Sequence, residues 1–176
     1  MGKKLIFIIG GARSGKSRFA LDYANRHFSK KIYLATCEVL DEEMVQRVEN
    51  HKKMRGPEWL TIEEPINILE RINQFWEKGD VILIDCLTLW LSNLLMRGES
   101  DKNIIEEIGS LIKAIKNNQT SFIIVSNEVG MGIVPSDPLS RRFRDLQGMA
   151  NQKFGEASDI VIFMFAGIPM ILKGEL

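Results

Sequence analysis

Residues Gly10 to Ser17 read GGARSGKS, the spacing G-x-x-x-x-G-K-S, between the apolar run LIFII and the segment SRFALDYAN. Glycines at the first and sixth positions let the backbone turn tightly enough to aim successive N–H groups at phosphate oxygens. The helix that follows adds its positive N-terminal end. In such a loop Gly10, Gly11, Ala12, Arg13, Ser14 and Gly15 form the cradle, Lys16 reaches the β- and γ-oxygens, and the Ser17 hydroxyl ligates Mg²⁺. A glycine turn ahead of an ordinary helix is the plain alternative; the flanking strand and helix weigh against it. VILID, ending on Asp85, has the form of a strand whose terminal carboxylate holds Mg²⁺ beside that loop. The same Asp85 could instead cap the helix LTLWLSNLL.

A second chemistry-bearing stretch is VENHKKMRGPEW, residues 48–59, which holds one of the two histidines, His51. Leu40, Met44, Val48, His51 and Arg55 share one face at helical spacing. Acidic residues open this segment, KKMR closes it, and Gly56-Pro57 stops it, a charge arrangement that complements the helix dipole. Lys52, Lys53, Arg55 and a partly exposed His51 therefore need no catalytic reason. Chemistry offers one all the same. Neighbouring cations disfavour imidazolium and leave a ring nitrogen able to attack, and they would balance charge on a phosphate under attack. A nucleophilic histidine would form a phosphoramidate and split one transfer into two steps. His27, at the close of the first helix, reads as a complement to the dipole. Arg141, Arg142 and Arg144 in SRRFRD could bind a phosphate or face water. Glu128, at the end of SFIIVSN, fits either an active-site wall or a plain turn.

The elements that must position these groups follow from hydrophobic patterning. Runs rich in β-branched residues at 5–10, 31–36, 80–85, 121–127 and 159–165, with a further short strand at 170–173, alternate with amphipathic segments at 16–28, 41–55, 66–78, 88–97, 102–118 and 138–155. Near-continuous apolar strands imply burial on both faces. Alternation of strand and helix predicts an α/β domain of the P-loop NTPase type, a mostly parallel, doubly wound sheet with helices on both faces. In such a sheet function gathers beyond the carboxyl ends of the strands. The 176 residues suit one domain, 1–176, and balanced charge (23 basic, 23 acidic) gives no general attraction to nucleic acid or acidic membranes.

Cys37 and Cys86 stand apart with no ligand spacing around them, which suits a reducing cytoplasm. The apolar run after Met1 is too short to span a bilayer, and VILIDCLTLWLSNLLM and IVIFMFAGIPMIL, broken by Asp85 and by Gly167 to Pro169, read as buried strands with their turns. No N-K-x-D element, the mark of a guanine-reading switch, is present. DLQG at 145–148 lacks the preceding strand of a switch glycine. These readings leave open a monofunctional small-molecule kinase and a nucleotide-dependent switch or assembly ATPase.

In order along the chain, GGARSGKSRFAL, TCEVLDEEMVQRVENHKKMRGPEW, DCLTLWLSNLL, SNEVGMGIVPSDPLSRRFRDLQGMANQ and AGIPMILKG together resemble the bifunctional adenosylcobinamide kinase/adenosylcobinamide-phosphate guanylyltransferase family of cobalamin assembly. The resemblance runs from about residue 5 to 174, and the arginine-proline pair that often follows the family histidine is Arg55-Gly56-Pro57 here. It implies phosphorylation of adenosylcobinamide by a nucleoside triphosphate, GTP or ATP. It also implies transfer of GMP from GTP to the resulting phosphate through a GMP-histidine. By position, His51 matches the nucleophile and Gly10 to Ser17 the triphosphate loop, with Lys16 catalytic. Thr36, Cys37 and Glu38 match a nucleotide-contacting turn, as do Lys52, Lys53, Met54 and Arg55 beside the histidine. Glu63 and Asp85 match nucleotide or metal contacts. The resemblance also implies a homotrimer with sites near subunit contacts.

Overall fold

The computed structural model describes residues 2–38 and 55–176. Strands β1 (Leu5–Gly10), β2 (Lys31–Ala35), β3 (Trp59–Glu63), β4 (Val81–Asp85), β5 (Ser121–Asn127), β6 (Ile160–Phe165) and β7 (Ile168–Lys173) form one sheet. Their order is β3-β2-β4-β5-β1-β6-β7, and every neighbouring pair is parallel except β6 with β7. The register levels the carboxyl ends. Gly10 lies opposite Asn127, Ala35 opposite both Asp85 and Glu63, and Asp85 opposite Val125. One edge of the sheet thus collects the glycine loop, the turn after β2, Glu63, Asp85 and Asn127.

Helices α1 (Lys16–His27), α2 (Ile68–Phe75), α3 (Leu87–Met96), α4 (Asp101–Asn117) and α5 (Pro138–Ala157) cover the sheet unevenly. One face packs Phe7, Ile9, Ile84 and Phe122 against α2 to α5, with Trp90 and Phe154 fully buried. On the other, α1 lies on Ile8, Leu83, Ile123 and Ile162 through Ala20, Leu21 and Ala24. Helix α4 places Ile104, Ile108, Leu111 and Ile115 on its buried side, each worth about 1.5–3 kcal/mol of apolar burial. Caps fix the helix starts: Ser100 accepts from the Asn103 N–H, and Asp137 accepts from the Ser140 N–H ahead of Pro138.

Three differences from the sequence expectation have physical causes. Strand β3 was not expected, because WLTIE is short and buries only Trp59 fully; pairing with β2 holds it. Helix α2 begins at Ile68 rather than 66, since the Glu64 carboxylate accepts the N–H groups of Ile66 (3.1 Å) and Asn67 (2.9 Å) and keeps them in a turn; a 3₁₀ turn, Trp76–Lys78, follows it. The stretch IVIFMFAGIPMIL is not buried throughout. Its first half is β6, but β7 is longer than 170–173, runs antiparallel, and is exposed along its whole length, since among the described residues it pairs only with β6 and no helix covers it. The helix expected over 41–55 falls outside the described residues, except for Arg55.

Candidate functional site

The glycine loop opens where β1 ends. A Cβ at Gly10 would collide with the Met164 carbonyl oxygen and lie 2.9 Å from the Ser14 hydroxyl, so this position has no room for a side chain. Gly15, at φ 95°, is the N-cap of α1 and occupies the left-handed region that glycine alone enters freely. Between them the chain closes on itself. The Ser14 N–H donates to the Gly11 carbonyl at 3.3 Å, and the Gly167 N–H donates to the Ser14 carbonyl at 3.1 Å. The first N–H groups of α1, from Lys16 and Ser17, have no intrahelical acceptor, as at any helix start, and so are donors for an anion at this end.

Lys16 is only 7% exposed, and its ammonium folds back to donate to the Gly11 carbonyl at 2.5 Å and to the Ser14 hydroxyl at 3.5 Å. Burial lowers its pKa, against the pull of Cys86 and Asp85. A desolvated lysine resting on a loop carbonyl and a loop hydroxyl, with Asp85 near enough to act on it, is a cation held ready for a phosphate.

Asp85 does not cap the following helix. Cys86 occupies that position, and no side chain caps α3. Instead the Asp85 carboxylate accepts a hydrogen bond from the Tyr33 hydroxyl at 2.8 Å. The peptide between Asp85 and Cys86 is cis, and Thr36 clasps it: its hydroxyl donates to the Cys86 carbonyl at 2.7 Å and accepts from the Cys86 N–H at 2.8 Å. Thr36 is thus completely buried and its side chain is committed to Cys86, while Cys37 and Glu38 lead out from the same turn. Burial, followed by the Asp85 charge, pushes the Cys86 thiol up to about 12, which excludes it as a nucleophile near neutrality. From α3, the Asn93 amide donates to the carbonyls of Thr36 (2.8 Å) and Pro65 (3.0 Å), tying the turns after β2 and β3 together.

Arg55 and Glu63 line one cleft of about 280 Å³ together with Gly56 and Thr61. The Arg55 guanidinium stacks 3.7 Å from the Tyr33 ring centroid, and its buried Nη1 has no hydrogen-bond partner among the described residues. An orphaned guanidinium nitrogen beside a cleft suits an anionic or carbonyl-bearing ligand such as a nucleotide. His51, Lys52, Lys53 and Met54 lie outside the described residues.

The chain matches the family model for cobinamide kinase/cobinamide phosphate guanyltransferase over residues 6–172. It belongs to that family. A bifunctional adenosylcobalamin biosynthesis protein, CobP, of Pseudomonas aeruginosa is 40% identical over 168 residues, 96% of each chain. The protein of the same description, CobU, from Escherichia coli K12 is 37% identical over 181 residues, 96% of this chain and 99% of the relative; that of Salmonella typhimurium has the same figures. The family is one of transferases acting with a nucleotide, consistent with the loop just described.

Several polar groups singled out in the sequence have structural partners in this kinase/guanyltransferase fold. Arg141 donates to the carbonyls of Pro135 and Ser136, and Arg142 to Asp101 and to the Glu99 carbonyl, so both tie helix α5 to its neighbours. Glu128 accepts from the Gly130 N–H at 2.6 Å and closes a turn. His27 packs against the Tyr23 ring, with centroids 4.3 Å apart. Sequence reasoning missed Tyr33. Its only signal was a phenol inside the otherwise apolar run of a buried strand, where a hydroxyl needs a partner. No helix among the described residues is long and apolar enough to cross a membrane.

Proposed function

We propose that this chain performs both transfers of its family within one domain spanning 1–176. In the first, the aminopropanol hydroxyl of adenosylcobinamide attacks the γ-phosphorus of a nucleoside triphosphate, GTP or ATP. An O–P bond forms, the bond to the β–γ bridging oxygen breaks, the nucleoside diphosphate leaves and the hydroxyl proton passes to water. The glycine loop, Gly10 to Gly15, cradles the phosphates, and Lys16 stabilises charge that grows on the oxygens in transit. Ser17 and Asp85 would hold Mg²⁺, an assignment supported by two oxygen donors on the elements that carry the phosphate cradle, and the cation would supply positive charge to offset that of the phosphate oxygens.

In the second transfer, an imidazole nitrogen of His51 attacks the α-phosphorus of GTP. A P–N bond forms, the bond to the bridging oxygen breaks, and pyrophosphate leaves. An oxygen of cobinamide phosphate then attacks the same phosphorus, releasing the histidine and giving adenosylcobinamide-GDP. Thr36, Cys37 and Glu38, with Lys52 to Arg55 and Glu63, contact the nucleotide. Thr36 does so through its backbone, its side chain being committed to Cys86. The observation that carries this reading is the single sheet edge on which the glycine loop and the Arg55–Tyr33–Asp85 series meet.

A homotrimer is supported by an unpaired edge. Strand β7 exposes Ile168, Met170 and Leu172, and the loop after β5 exposes Met131 and Ile133, the last at 96%. Apolar strands of this kind mark contact surfaces. Cys37 and Cys86, neither in a disulfide among the described residues, suit the cytoplasm. Mass spectrometry after incubation with GTP and Mg²⁺ tests the reading: a GMP adduct should map to His51 and vanish in His51→Ala while phosphorylation persists. Adduct retained in that variant would sink the guanylyl assignment, and no adduct on the parent protein would leave a monofunctional kinase.

A further inference from the structure

We infer that Tyr33 is a positioning residue serving both transfers at once: its hydroxyl sets the Asp85 carboxylate, and its ring sets the Arg55 guanidinium. Tyr33 lies in β2, between the two, and is buried. It reaches Asp85 across the β2–β4 pairing, where Ala35 stands opposite Asp85 and Tyr33 opposite Leu83, so both side chains leave the sheet on the α1 face. The hydroxyl donates to Asp85 at 2.8 Å. Burial and the Asp85 charge both hold the phenol far above its ordinary pKa, so it remains a donor throughout the physiological range.

The ring is fixed independently of that hydrogen bond. Trp59 meets it edge-on with centroids 6.2 Å apart, and the Trp59 indole N–H is held by Asn25 at 3.0 Å. A ring locked on its edge offers a rigid face, and Arg55 occupies it at 3.7 Å. Among the described residues Nη1 of the stacked guanidinium has no hydrogen-bond partner, and the ring face is the contact that holds this group. One tyrosine therefore links the carboxylate assigned to the phosphoryl step with the arginine that closes the nucleophile's segment. A partner hydrogen-bonded to a metal-binding carboxylate typically matters by about 10–100-fold in metal affinity or activity.

The inference rests on Asp85 being a metal contact and Arg55 a nucleotide contact, and its test separates these layers. Binding of Mn²⁺ to the full chain carrying a non-hydrolysable GTP analogue is measured for the parent protein, Tyr33→Phe and Asp85→Asn. Tyr33→Phe removes one oxygen and leaves the ring in place. It is expected to weaken Mn²⁺ binding and lower phosphorylation kcat by about tenfold each, with nucleotide KM within about threefold. The burst of GMP adduct should slow by less than about threefold in Tyr33→Phe but by about tenfold in Tyr33→Leu and in Arg55→Lys, which lose the stacked pair.

Weakened Mn²⁺ binding in Asp85→Asn with none in Tyr33→Phe overturns the hydroxyl's role and spares the metal assignment. No weakening in either variant overturns both. Equal adduct bursts in Tyr33→Phe, Tyr33→Leu and Arg55→Lys overturn the role of the ring. Tyr33→Met, which keeps apolar bulk but offers no ring face, supplies that comparison if Tyr33→Leu fails to fold.

Discussion

Replacing Lys16 with alanine tests the phosphate loop at the point where structure gives a magnitude. In the resting protein the ammonium is buried and spends its donors on the Gly11 carbonyl, at 2.5 Å, and on Ser14. To reach a triphosphate it must give up a charge-assisted bond whose net worth is about 1.5–3 kcal/mol. That exchange nearly cancels in the ground state, so nucleotide KM should rise by less than about tenfold. In the transition state the balance changes, because charge grows on oxygens that a single loop carbonyl cannot match. Losing one such preorganised donor typically costs about 2.7–4 kcal/mol, or about 10²–10³ in kcat. Steady-state phosphorylation with varied nucleotide, alongside thermal unfolding of both proteins, reads the two parameters separately. A kcat within threefold of the parent, or a loss confined to KM, would refute the reasoning.

Other outcomes follow from the same structure. Glu64→Gln should lower the unfolding midpoint by about 3–12 °C, because the buried carboxylate bonds Ile66, Asn67 and Arg71 and is worth about 1.5–3 kcal/mol; differential scanning calorimetry reads it. Burial raises the Glu64 pKa, but those three partners outweigh burial and hold it below the ordinary value. Its stabilisation is therefore present above the unfolded carboxyl range and lost as pH falls through the folded value, so the gap between parent and variant should close in acid. Gly10→Ala should abolish nucleotide binding in equilibrium titration, since the added carbon strikes the Met164 carbonyl at the root of the loop. Leu172→Asp, at a side chain already 61% exposed, should leave the unfolding midpoint of the isolated chain within about 2 °C and, if the proposed trimer forms through this strand, shift the parent's mass in light scattering to smaller species.

The sequence made the phosphate loop and the parallel strands legible because both depend on local, periodic signals. GGARSGKS fixes glycines at the positions that must bend, and short β-branched apolar runs such as VILI, set between amphipathic segments, fit strands of a covered sheet. Strand β3 escaped because WLTIE has no periodic apolar face of its own. Burial of β7 was wrongly expected because hydrophobicity alone does not say whether a helix will arrive to cover a strand. Asp85 could be read as a cap or as a ligand-bearing carboxylate. Excluding the first needed the geometry of Cys86 and the reach of Tyr33 across the sheet, a contact between residues 52 apart in the chain. Arg141 and Arg142, ambiguous in sequence, are resolved by partners at Pro135 and Asp101 that no local pattern announces. For His51 the sequence reading stands alone, since the segment lies outside the described residues.

The turn between β6 and β7 touches the glycine loop from outside, through the Gly167 N–H on the Ser14 carbonyl and through Gly167 beside Gly15. That turn also anchors the exposed strand on which neighbouring subunits would lean. Hairpin and cradle thus share a hydrogen bond, and any effect of one on the other's ligand affinity would by reciprocity run both ways. Trimming the chain after Phe165 should loosen the grip on triphosphates even in a lone protomer, and adding nucleotide should tighten association among intact ones.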